Sequence, residues 1–184
     1  MAVAQDMSVA GVLLAAGAGV RYGMPKVLAD GGQWLRRGVA ALRDGGCGDV
    51  VVVLGAALVD VPSPARAVLA EDWAQGVSAS VRAGLLALRD DAEFAVLTTV
   101  DTPDVGAAAV ARVLDAARTS ESGLARACYG ERPGHPVVIA RRHWTQVLET
   151  LSGDEGAGPF LRVRDDVVAV DCADLGSGLD VDER

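Results

Sequence analysis

Aromatic side chains are scarce in this sequence: three Trp, two Tyr and two Phe make up 4% of its 184 residues. That scarcity excludes a base-stacking surface for single-stranded nucleic acid. Basic charge is also short, with 17 Lys and Arg against 25 Asp and Glu, a formal net charge of −8. An acidic chain repels polyphosphate and anionic lipid at long range, so neither nucleic acid nor a membrane surface is an expected partner. Cysteine is limited to Cys47, Cys128 and Cys172, with no Cys-x-x-Cys pair. Such a sparse, odd set argues for buried thiols in a reducing compartment. No apolar run reaches 18 residues and the first residues lack the basic start of a signal peptide, so the cytoplasm is the expected location.

What is abundant is Ala, Val and Leu, within a 51% hydrophobic share that is ample for a core. Short Val-rich runs at residues 8–15, 49–54, 67–70, 94–100, 124–129, 136–140 and 167–172 read as strands. Segments 34–43, 78–88, 106–118, 141–151 and 159–163 carry helical spacing. The alternation runs the whole length without linker or repeat, which predicts one domain over residues 1–184. Its expected class is α/β: a three-layer, Rossmann-like, doubly wound and mainly parallel sheet. Sheets of this kind take ligands at the carboxyl ends of their strands, so the loops after the first and fourth strands are predicted to share a crevice.

The loop after the first strand reads LAAGAGVRYGMPK. Gly17, Gly19 and Gly23 permit close backbone approach to a ligand, and Arg21 and Lys26 supply the cations that a phosphate needs in an acidic protein. A plain glycine turn with two solvated cations is the alternative. Two known phosphate loops do not fit: Lys26 is not followed by Ser or Thr, and Pro25 interrupts the helix that a dinucleotide fingerprint requires. Asp101 ends the fourth strand ahead of Pro103, where a carboxylate is rigidly held and can bind a hard cation or cap a turn.

Leu14-Ala15-Ala16-Gly17 with Arg21, Gly23, Pro25 and Lys26 resembles the signature loop of the MobA-like nucleotidyltransferases, the group of the molybdenum cofactor cytidylyl- and guanylyltransferases. The fold implied is the nucleotide-diphospho-sugar transferase type. Further stretches match in order: EDWAQGVSASVRAGL with Gly76, Ser78, Ser80 and Arg82; TVDTP around Asp101; GERPGHP with His135; GDEGA with Asp154; and DVD with Asp180 and Asp182. The chain departs from the pattern at Gly158-Pro159, where the family continues with Arg.

The resemblance implies nucleotide binding by Leu14, Ala15, Ala16, Gly17, Gly19, Arg21, Lys26, Gly76, Ser78 and Ser80. Catalytic roles fall to Arg21, Lys26 and Asp101, with Mg²⁺ held by Asp101 and Asp180 or Asp182. Acceptor contacts are implied for His135 and Asp154. Ser78 equally suits a helix N-cap, Arg82 a solvated helix face, His135 a loop-ordering role, and His143 plain packing.

The reaction implied moves a nucleoside monophosphate from a triphosphate to a phosphorylated acceptor, releasing pyrophosphate. The Ala-Ala-Gly start resembles the cytidylyl branch, implying CTP, a molybdopterin acceptor and a recipient molybdoenzyme. A nucleotide-binding oxidoreductase using NAD(P)H and a noncatalytic cofactor chaperone stand as alternatives.

Overall fold

The computed structural model describes residues 6–183. The strands are β1 (Asp6–Leu14), β2 (Cys47–Leu54), β3 (Arg66–Leu69), β4 (Phe94–Thr99), β5 (Leu124–Tyr129), β6 (Arg132–Ala140) and β7 (Val168–Asp171). They form one seven-stranded sheet in the order β3-β2-β1-β4-β6-β5-β7. Only β6 runs against its neighbours, pairing antiparallel with both β4 and β5. The α/β, mainly parallel class read from the sequence is therefore the one observed.

Helices α1 (Ala29–Asp44) and α3 (Ala107–Thr119) cover one face of the sheet. The other face carries α2 (Val77–Leu86), α4 (Trp144–Thr150) and α5 (Gly158–Arg162). The central strands are apolar on both faces because both faces are covered: Val9, Ala10, Val12 and Leu13 of β1 have no exposed surface. In α3, Ala109, Val110, Val113, Leu114 and Ala117 form the buried stripe that a helix needs to sit on that sheet. In α1, Gly38 faces Leu13 so closely that a Cβ there would stand 2.8 Å from its Cδ2, which lets the helix lie low over β1.

Regular geometry in α1 begins only after Asp30, Gly31 and Gly32, all at positive φ, in keeping with the helix read over residues 34–43. Two local expectations are corrected. The GERPGHP stretch is largely strand: β6 starts at Arg132, and only the turn at Gly130 and Glu131 separates it from β5. Ser78 does not cap its helix. Gly76 is the N-cap of α2, no side chain caps it, and Ser78 lies inside the first turn.

After β7 the described residues form no further helix or strand and return across the carboxyl end of the sheet. Arg112 anchors it through Asp174 at 2.6 and 3.0 Å, and Asp104 accepts from both the amide and hydroxyl of Ser177 at 2.6 Å. Arg132 donates to the carbonyls of Ser177 and Gly178. The Val181 amide then donates to the Asp101 carbonyl at 2.9 Å, which brings the acidic end of the chain to the end of β4.

Leu13 lies between β1 and α1 with no exposed surface. Leu13→Ala is expected to cost about 3 kcal/mol, read as a lowered denaturation midpoint at unchanged m-value.

Candidate active site

The carboxyl ends of β1 and β4 open into a cavity of about 580 Å³, within the range of small-ligand sites. Its floor is the β1 loop. Gly19 sits at φ +62, and a Cβ there would be 1.9 Å from the Met24 carbonyl oxygen, so only glycine closes this turn. The turn is fastened by the Gly23 amide donating to Gly19 at 2.8 Å. The amides of Ala16, Gly17 and Ala18 make no hydrogen bond to another described residue. Unspent donors beside a cation are the elements of an anion cradle.

Lys26 stands at the centre of the site. Its Nζ donates to Oδ2 of Asp101 at 3.0 Å and to Oδ1 of Asp182 at 3.0 Å. Burial alone would lower the ammonium pKa, but these two bonds raise it, so the group is charged throughout the physiological range. The same bonds, with Arg21 at 3.8 Å, hold the Asp182 carboxyl below the usual carboxylate range. Asp180 behaves oppositely: desolvation, then Asp101 and Asp182, push its carboxyl up. Asp101 itself is fixed by a turn in which the Thr102 hydroxyl donates to the Thr99 carbonyl at 2.9 Å.

Two carboxylates already aimed at one cation are a donor set that a hard divalent ion accepts when phosphate oxygens and water complete its shell. Among the described residues no cluster of three or more His, Cys, Asp or Glu is arranged to hold a metal unaided.

Most of the residues singled out in the sequence meet here: Leu14, Ala15, Ala16, Gly17, Gly19, Arg21, Lys26, Gly76, Ser80, Asp101 and Asp154 all line the cavity. Gly76 touches the turn of Asp154 so tightly that a Cβ would lie 2.4 Å from its Oδ1, which joins the start of α2 to that loop. Ser78 is directed elsewhere. Val77 and Ser80, three apart on α2, share the cavity face, whereas Ser78 and Arg82 line a separate depression beside Leu151 and Ser152. Arg82 is spent on the Leu148 carbonyl at 3.0 Å. His143 is a packing residue, bonded to the Ser122 carbonyl at 2.8 Å and set against Phe160.

Two aromatic cavity residues, Tyr22 and Trp73, were missed in the sequence and form walls of the cavity; of the two acids left open there, Asp182 lines the cavity. The aromatics gave no signal beyond their place in or beside motifs.

His135 lies outside the lining residues, on the β6 flank. Burial drives its imidazole down to about 4, against an opposing pull from Asp101 and a further push from Arg126. The unfolded chain takes up this proton near pH 6.5, whereas the folded one waits until about 4. Between those values the unfolded state binds more protons, so stability falls as pH drops from 6.5 toward 4. His135→Asn is expected to flatten that part of the stability–pH curve measured by urea unfolding.

Comparison with known proteins agrees with this geometry. The family model of the MobA-like NTP transferase domain matches residues 11–168. A curated relative, nicotine blue oxidoreductase of Paenarthrobacter nicotinovorans, is 37% identical over 190 aligned positions, covering 95% of this chain and 92% of that one. Among solved structures, the homologue of Mycobacterium tuberculosis Rv0371c from Mycobacterium sp. strain JC1 superposes with a TM-score of 0.77 at 27% identity, covering 96% of this chain and 91% of that one. The manganese complex of Rv0371c from M. tuberculosis H37Rv gives 0.67 at 25% identity, covering 89% and 88%. No helix among the described residues is long and apolar enough to cross a membrane. With the phosphate-type loop, the β4 aspartate and the family match in agreement along most of its length, the chain belongs to the MobA-like NTP transferase family.

Proposed function

We propose that the protein transfers CMP from CTP to a phosphorylated acceptor of the molybdopterin kind, with Mg²⁺, and releases pyrophosphate. The observation that carries this reading is the Lys26 ammonium shared by Asp101 and Asp182 beside the Ala16, Gly17 and Ala18 amides, which bond no other described residue. A triphosphate entering the loop gives Lys26 a competing anionic partner and frees both carboxylates. Mg²⁺ held by Asp101 and Asp182, with Asp180 close by, would neutralise phosphate charge and orient the triphosphate. The manganese complex of the mycobacterial protein supports a divalent ion in this family.

The chain's own groups do the rest. Ala16 and Gly17 amides bind phosphate oxygens; Arg21 and Lys26 offset the charge that accumulates on the departing pyrophosphate. An acceptor phosphate oxygen attacks the α-phosphorus in line; that P–O bond forms as the bridging bond between α and β phosphates breaks. The attacking oxygen is already anionic, so no general base is needed, and catalysis rests on positioning and electrostatics.

A second reading, NAD(P)H-dependent reduction, is favoured by the name of the relative that shares 37% identity. Calorimetric titration with CTP, GTP, ATP and NADPH in the presence of Mg²⁺ separates the two. CTP is expected to bind in preference, at least about tenfold more weakly to Lys26→Ala and to Asp101→Ala. Tight NADPH binding without triphosphate binding would replace transfer with reduction.

A further inference from the structure

Arg126 is a partly buried cation that the fold does not use. It sits in the middle of β5, and its Nε is shut off from solvent without a hydrogen-bond partner. The guanidinium makes no hydrogen bond or ion pair with any described residue. It feels the like charge of another arginine, Arg162 on α5, which is itself paired with Glu155 at 2.8 Å. A half-buried guanidinium without a partner and near a like charge costs stability, which makes it a candidate for a role other than folding.

The sheet register says where Arg126 lies relative to the cavity. Leu97 of β4 is opposite Val137 of β6, and Val137 is opposite Arg126 of β5, so the three form one row across the sheet. Leu97 and Val137 belong to the core on the α2, α4 and α5 face, as does Leu124 two residues before Arg126. Strand alternation puts Arg126 on that same face. Two residues beyond Leu97 on β4 is Thr99, which lines the cavity, and two residues before Val137 on β6 is His135. His135 feels the charge of both Arg126 and Asp101, the second of which lines the cavity.

We propose that Arg126, with His135 beside it, is the subsite that receives the anionic phosphate group of the acceptor on the β5–β6 flank of the cavity. The proposal rests on the acceptor reading above. A guanidinium fork matches a phosphate or other tetrahedral oxyanion, and a neutral imidazole adds a donor without adding charge. The acceptor then enters from the flank opposite α2, with its anionic group fixed and the attacking oxygen turned toward the α-phosphate.

The test is titration of inorganic phosphate into wild type, Arg126→Met and Arg126→Lys, each saturated with the α,β-methylene analogue of CTP so that the triphosphate cradle is filled. Wild type is expected to bind phosphate at least about tenfold more tightly than Arg126→Met, with Arg126→Lys between them and analogue affinity equal in all three. Arg126→Met is also expected to melt no lower than wild type, because it removes an uncompensated charge. Equal phosphate affinity in wild type and Arg126→Met, or no phosphate binding by wild type, overturns the proposal. A marked fall in Tm with phosphate binding unchanged makes Arg126 a structural residue and overturns it as well. If the analogue itself fails to bind, the transferase reading fails, and the same phosphate titration on the ligand-free proteins still decides Arg126.

Discussion

The Lys26 ammonium is the point on which the site converges. It ties the β1 loop to the end of β4 through Asp101 and to the final segment through Asp182, contacts 75 and 156 residues apart in sequence. Without a cation there, Asp101, Asp180 and Asp182 would crowd one another; the Asp180 carboxyl is pushed up by burial first and by those two carboxylates after it. The Lys26 ammonium is thus shared by two carboxylates, with Arg21 as a second cation at 3.8 Å from Asp182. The pair is only partly shielded from water, so its worth lies in placing groups more than in stabilising the fold.

The architecture serves this point. Parallel strands β1 and β4, buried on both faces, set their carboxyl ends side by side, and the Ala and Val stripes of α1 and α3 fix them from one side. The described residues of the last segment form no regular structure, yet they are fastened at Arg112, Asp104, Arg132 and finally Asp101, so the acids arrive at a defined place. The antiparallel β6 breaks the parallel run and leaves a flank on which Arg126 and His135 stand apart from the phosphate loop.

What was legible in the sequence is what depends on neighbours in the chain. A glycine turn with Arg21 and Lys26 nearby, Val-rich buried strands, and an Asp followed by a turn all state themselves within a dozen residues. Ser78 was misjudged because the helix is capped two residues earlier, at Gly76, and that shift places Ser78 inside the first turn, facing away from the cavity. The choice between Asp180 and Asp182 depended on an irregular tail with no periodicity to read. Trp73 and Tyr22 are walls only because distant loops surround them, and Arg126 reads in sequence as an ordinary strand residue until its partners are sought and not found.

The central claim is that Lys26, Asp101 and Asp182 form a site completed by a metal-bound triphosphate. It is tested most directly by titrating Mn²⁺ and following the free ion by electron paramagnetic resonance, with and without CTP. Because Lys26 engages both carboxylates in the free protein, Mn²⁺ is expected to bind weakly alone and at least about tenfold more tightly with CTP, a coupling of about 1.4 kcal/mol or more. That coupling is expected to vanish in Asp101→Asn. Mn²⁺ binding that is equally tight with and without CTP, or unaffected by Asp101→Asn, would contradict the account.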